Sequence, residues 1–208
     1  MNPKWLEWAR DLQVVAQNGL HYAKDEYDVR RYETIQRIAA EILATRFDAS
    51  AEEIERRLAL EEGHATPKVD VRGVVFRDSR ILLVREKKDG GWTLPGGWAD
   101  AGEVPSEAVE REVREESGFA TRAVRLLALY DRDRQAPVPP YPFRIYKAFF
   151  LCEIVGGEAA PSSETDGVAF FTETEAAGLP LSVARTTQRQ IELFFLMART
   201  GDWTPLFD

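Results

Sequence analysis

The sequence predicts an α+β fold in which a small all-helical domain precedes a layered domain of strands and helices. Three patterns carry that expectation. Apolar residues recur at three- and four-residue steps through the first third of the chain. From Val69 the pattern changes to the alternation and valine enrichment of strands. One further helical stretch, near Pro105 to Ser117, follows a glycine loop and ends at Gly118.

In the helical part, Trp5, Leu6, Ala9, Leu12, Val15 and Ala16 form one stripe, with Asn18-Gly19 expected to interrupt or weaken the end of that helix. A second helix is expected over 27–46, with Tyr32, Ile35, Ile38, Ala39, Ile42 and Leu43 on one face. A third runs from Ser50, where Ser50 and Glu53 suit a capping box, to about Glu62 before Gly63. Pro67 marks a boundary, which divides the chain into 1–64 and 67–208. Some 60 residues of short helices lie near the lower limit of independent stability, so this part is expected to pack against the rest or serve as a dimerisation arm.

In the second part, KVDVRGVVF and ILLVRE flank Asp78-Ser79 and predict a hairpin. Strands are expected near 121–130 and 144–154 around a proline-rich loop at Pro137–Pro142, then a short strand at 168–171. An amphipathic helix over 182–199 closes the list of elements. Strands around one central helix, with another at the end, make a layered domain.

Composition excludes several functions. With a net charge of −8, the chain as a whole repels nucleic-acid phosphates. No apolar run approaches the roughly 20 residues that span a bilayer, and no secretory signal pattern opens the chain. One cysteine, Cys152, allows no internal disulfide and fits a reducing compartment, so a cytoplasmic location is expected. Two histidines and one cysteine make a tetrahedral zinc site improbable; oxygen-ligated Mg2+ or Mn2+ is the metal the composition can supply.

Gly97 to Phe119 holds seven acidic residues, and several stand where they repel. Glu112, Glu115 and Glu116 share one helical face, and the Glu112–Glu116 pair alone costs roughly 0.2–0.5 kcal/mol. Glu115 and Glu116 also occupy the last turn, where the helix dipole disfavours anions. A hard divalent cation that needs clustered carboxylates explains such an arrangement.

The spacing Gly97, Glu103, Arg111-Glu112-Val113, Glu115-Glu116, Gly118 matches the box of the Nudix hydrolases, and the chain resembles that family. The resemblance implies an α/β/α sandwich over about 67–208 and hydrolysis of a phosphoanhydride. It implies Glu112, Glu115 and Glu116 as metal ligands, joined by the Gly96 carbonyl, with Glu103 and Arg111 supporting the loop and helix. For the general base it leaves Glu164, in PSSETDG, and Glu112 as alternatives. Arg85, Arg144, Tyr146, Lys147 and Arg185 are the candidates for holding the substrate's phosphates.

The segments DEYDVRRYETIQRIAAEIL, YKAFFLCEIVGGE and LSVARTT further resemble a bacterial subgroup with an N-terminal helical extension that includes CDP-choline pyrophosphatases. That likeness implies a nucleotide substrate, CDP-choline first and ADP-ribose as runner-up, with 3′→5′ cleavage of RNA a third alternative. Trp92, Trp98, Tyr130 and Tyr141 are the aromatics available to cage a choline ammonium. The alternative of another class is a non-catalytic nucleotide sensor of the same fold. It suits a chain that keeps every box carboxylate least well.

Overall fold

Apolar side chains at helical spacing bring the first three helices together around one small core. In the computed structural model, which describes residues 3–135 and 140–208, these helices are α1 (Lys4–Tyr22), α2 (Glu26–Ala44) and α3 (Ala51–Ala59). The chain divides into two compact units, Met1–Pro67 with Pro140–Arg144, and Lys68–Pro139 with Ile145–Asp208. The proline-rich loop expected at 137–142 lies partly outside the described residues.

In the first unit Leu6, Ala9, Ala40, Leu43, Ile54 and Leu58 form the core. Asp25 caps α2 by accepting the N–H of Tyr27 at 2.6 Å, and Ser50 caps α3 by accepting that of Glu53 at 3.2 Å. Asn18-Gly19 does not end α1, which continues to Tyr22. Gly19 is there for contact: a Cβ on it would overlap the Tyr32 ring of α2. Arg10, buried on α1, donates to the carbonyls of Tyr141, Pro142 and Phe143 and so fixes that segment within the unit.

The second unit is a sandwich around a mixed sheet ordered β3-β2-β1-β6-β5-β8. The strands are β1 (Lys68–Arg77), β2 (Arg80–Glu86), β3 (Trp92–Thr93), β4 (Gly96–Trp98), β5 (Phe119–Asp131), β6 (Ile145–Gly157), β7 (Thr165–Phe171) and β8 (Leu206–Phe207). Asp78 and Ser79, both at positive φ, make the tight turn of the β1–β2 hairpin. Helix α4 (Pro105–Ser117) covers one face, and α5 (Glu173–Ala177) with α6 (Gln188–Thr200) covers the other. Alternation along β1 sends Val71 and Val75 to the α4 core and Val74 to the α6 core.

The terminal helix starts six residues later than expected. Thr187 and Gln190 form its capping box, and the stretch from Ser182 is not helical. The short helix α5, capped by Thr172 and Glu175 in the same way, was not expected from the sequence.

One edge of β1 changes partner along its length, and this opens the site. β4 pairs with Asp70–Arg72, while β2 pairs with Phe76–Arg77. Between them the Gly73 N–H donates to the Pro95 carbonyl at 2.8 Å. A Cβ on Gly73 would overlap Val113 of α4. Gly73→Ala should therefore cost about 1–3 kcal/mol, more than the roughly 0.4–1 kcal/mol gained by stiffening the unfolded chain. Urea unfolding should show a lower midpoint with an unchanged slope.

Candidate active site

The loop and helix after β4 are set by three glycines. Gly96 has φ 146°, and its N–H donates to Glu116 Oε2 at 2.9 Å. A Cβ on Gly97 would stand 2.7 Å from Glu112 Oε2, so only glycine lets that carboxylate lie against the strand. Gly118, at φ 80°, closes α4. Ala108, Val109 and Val113 face the core, which leaves the acidic face of α4 toward the glycine loop.

The repulsion read from the sequence is offset by Arg111. Its Nε and Nη2 donate to Glu103 at 2.7 and 2.8 Å, and its Nη1 donates to Glu112 at 2.8 Å and Glu115 at 3.0 Å. One guanidinium thus holds three carboxylates, and the expected pairing of Glu103 with Arg111 is bidentate. Hydrogen bonding from Arg111 holds the Glu103 carboxyl below its ordinary range. Burial pushes Glu112 up. Glu116, 7% exposed, is pushed up to about 7 by burial, with Glu86 and Glu112 adding to the effect against Arg72 and the Gly96 N–H.

A second group of charges, none of it singled out as a set by the sequence, gathers around Asp70 and Arg72 of β1. Arg72, 3% exposed, donates through Nε and Nη2 to Asp70 at 2.9 and 2.7 Å, and through Nη1 to the Leu94 carbonyl at 3.2 Å. Lys147, also 3% exposed, lies 3.5 Å from Asp70 and donates to the Arg185 carbonyl. Burial opposes the charge on Asp70, yet Arg72 and Lys147 together hold its carboxyl below the usual range. Burial lowers the Lys147 ammonium to about 7. Glu86 is buried 2.9 Å from Arg185 Nε, and burial raises its carboxyl, with Asp89 and Glu164 adding to that against Arg185 and Arg72. Opposite charges two apart on the apolar strand KVDVRGVVF were the available signal for Asp70 and Arg72. Glu86, inside REKKDG, carried none.

The remaining candidates separate. Glu164 is exposed, but its loop is fastened: Lys87 N–H donates to the Glu164 carbonyl at 2.9 Å, and Lys87 Nζ to those of Ser162 and Ser163 at 2.7 and 3.0 Å. The Thr165 hydroxyl then ties the loop to the Glu116 carbonyl at 2.7 Å. Arg85 pairs with Asp166 at 2.7 Å beside the Trp92 ring. Tyr146 is exposed, and Arg144 falls with the helical unit. Lys147, expected to grip phosphate, spends its ammonium inside the protein. Arg185 lies in the non-helical stretch before α6 and keeps a partly exposed side chain. The aromatics do not form one cage: Tyr130 is buried beside Phe149, and Trp92 packs edge-on to Phe171.

Among the described residues, no three histidine, cysteine or acidic side chains are already drawn into a coordination set. The donor set nevertheless fits a hard cation. Glu112 and Glu116 flank the Gly96-Gly97 turn, Glu115 adjoins them on the same face, and every donor is oxygen. The raised carboxyls of Glu112 and Glu116 mark a place where anions are crowded and a cation would relieve them.

Without metal, the folded state keeps the Glu116 proton up to about pH 7, while the ordinary carboxyl releases it near 4.5. Between those values the native state binds more protons than the unfolded state, so stability falls as pH rises and levels off above about 7. Urea unfolding in chelator at pH 5 and pH 7.5 should show a loss on the order of 1–3 kcal/mol that is absent in Glu116→Gln.

Comparison with known proteins places this site in a family. Residues 66–194 match the NUDIX domain, and residues 3–58 match the domain described as UDP-X-like, N-terminal oligomerisation domain. The Bacillus subtilis (strain 168) protein named Putative ADP-ribose pyrophosphatase YjhB is 42% identical over 205 residues, covering 99% of this chain and 97% of that one. The crystal structure of a UDP-X diphosphatase superposes with a TM-score of 0.62 at 30% identity, over 98% of both chains. That of an ADP-ribose pyrophosphatase from Streptococcus suis 89-1591 gives 0.61 at 38% identity, over 69% of this chain and 100% of that one. The acidic box, the glycine turn that receives it and the sandwich around both agree with these likenesses: the chain belongs to the Nudix hydrolase family.

Proposed function

We propose that this Nudix enzyme hydrolyses the diphosphate of a nucleoside diphosphate joined to a second moiety, with ADP-ribose the leading substrate. The observation that carries the reading is the seating of Glu112 and Glu116 against the Gly96-Gly97 turn. Likeness along nearly the whole chain to a relative named for ADP-ribose supports the substrate. CDP-choline is the second substrate to test. Its cage is less well supported, because Tyr130 and Trp92 are committed to packing. RNA suits a chain of net charge −8 poorly, and a sensor would not need four intact box carboxylates.

In this reading Glu112, Glu115 and Glu116, with the Gly96 carbonyl, hold Mg2+ or Mn2+. Such a cation neutralises the diphosphate and makes a bound water more acidic. Glu103 orients Arg111, and Arg111 holds Glu112 and Glu115 in place through Nη1. Glu164 accepts the proton of the attacking water, a role supported by the Lys87 and Thr165 bonds that fix its loop beside Glu116; Glu112 is the alternative base. The cytoplasm, a reducing compartment, suits the buried free thiol of Cys152.

Purified protein should release a nucleoside monophosphate from ADP-ribose with magnesium or manganese and none in chelator. Glu116→Gln should lose about three orders of magnitude in kcat/KM while keeping its fold. Metal-independent turnover, or activity on triphosphates alone, overturns the proposal.

We further propose that the helical unit joins two copies of the chain into a homodimer. Trp8, Val15 and Tyr22 are exposed at seven-residue spacing on α1, a stripe that another helix can cover. The likeness of residues 3–58 to an oligomerisation domain supports this. Sedimentation should show a dimer that Trp8→Glu with Val15→Glu converts to monomer; an unchanged dimer refutes this interface.

A further inference from the structure

Arg185 is held through both its backbone and its side chain. Its backbone is stitched to β3: the Trp92 N–H donates to the Pro180 carbonyl at 2.8 Å, and the Ser182 N–H to the Trp92 carbonyl at 2.9 Å. The Thr186 hydroxyl lies 2.8 Å from that of Thr93 and accepts the Leu94 N–H at 3.2 Å. These contacts place Arg185 beside the turn that seats the box carboxylates. Beneath it, Lys147 donates to the Arg185 carbonyl from a buried position braced by Asp70.

The guanidinium is held at two of its three nitrogens. Nε lies 2.9 Å from Glu86 Oε1, and Nη1 donates to Ser182 Oγ at 2.9 Å and Asp89 Oδ2 at 3.3 Å. Ser182 donates in turn to Asp89 at 2.7 Å, which fixes the acceptor. Among the described residues, none accepts from Nη2, and the side chain keeps 26% of its exposure. A planar guanidinium whose Nε and Nη1 are engaged and whose Nη2 is left to donate is organised to meet a phosphoryl oxygen through that one nitrogen.

Resting on the phosphoanhydride reading above, we propose that Arg185 grips the substrate's diphosphate through Nη2, and that Glu86 and Lys147 are the residues that position it. Glu86 then acts through Arg185 and not by touching the substrate. The register of β2 supports the assignment. Between Arg85 and Glu86 the ladder to β7 shifts, with Asp166 left out of the pairing, and Glu86 stands opposite Thr165, whose hydroxyl bonds the Glu116 carbonyl. The positioning carboxylate and the box helix are thus fixed to one point.

The test uses calorimetric binding of methylenediphosphonate, a non-hydrolysable diphosphate without base or sugar, to the full-length protein with magnesium. Arg185→Ala should weaken binding about 10- to 100-fold, and Arg185→Lys should restore part of it. Glu86→Gln should weaken it about 3- to 10-fold alone, and by less than about twofold when Arg185 is already alanine. Lys147→Met should behave as Glu86→Gln does; if it does not fold, Glu86→Gln decides. Arg185→Ala binding within about twofold of wild type overturns the proposal, as does a Glu86→Gln effect that persists undiminished in the Arg185→Ala background. Failure of the wild type to bind the analogue also overturns it. A wild type that binds the analogue and hydrolyses no nucleotide would sink the hydrolase reading and leave this one standing.

Discussion

Arg72 keeps its charge almost wholly out of water because Asp70 takes two of its nitrogens and the Leu94 carbonyl a third. Burying a guanidinium without such partners costs several kcal/mol, and removing one partner typically costs about 3–5 kcal/mol. This pairing decides where the first strand can hold polar residues at all, and the rest of the site is built outward from it. Leu94 precedes the Pro95-Gly96 turn, so Arg72 reaches across the gap that the exchange of partners opens along β1. Asp70 braces Lys147, and Lys147 reaches the segment that carries Arg185. A buried ion pair is weak evidence for stability alone. Here its geometric result is more telling, since it joins β1, the glycine turn and the segment before α6.

Much of this was legible in the sequence, and the failures have physical causes. The box helix could be read because its apolar stripe, its glycine stop and its misplaced charges all point the same way. The β1–β2 hairpin followed from alternation on either side of Asp78-Ser79. Asn18-Gly19 was expected to interrupt or weaken the end of α1 because glycine weakens helices, whereas tertiary contact decided the use of Gly19: the Tyr32 ring lies where a side chain would be. Ser182 looked like a helix start, but its hydroxyl serves Asp89, and the cap belongs to Thr187. Glu86 carried no signal within REKKDG. Only the pairing of strands, which no local pattern reports, turns it inward beside Arg185.

Three arginines divide the anions of the site between them. Arg111 serves Glu103, Glu112 and Glu115; Arg72 serves Asp70; Arg185 serves Glu86 and Asp89. Glu116 is the exception. It accepts a hydrogen bond from the Gly96 N–H and feels Arg72 at longer range, and burial drives its carboxyl furthest from the ordinary value among these glutamates. The protein therefore folds with most of its acidic cluster neutralised internally and with its least compensated carboxylate at the glycine turn. The local instability and the proposed chemistry have the same origin.

Lys87 holds the loop of Ser162 to Glu164 by main-chain oxygens alone, two from its ammonium and one from its own N–H. Ser162 and Thr165 add side-chain bonds within the same loop, so its course depends on those two side chains and not on the one between them at 163. Position 163, whose carbonyl alone is used, is therefore a site where one codon can change while the backbone address stays the same. Divergence of substrate preference within such a fold could proceed there in single steps, without the loss of stability that usually accompanies a new loop conformation.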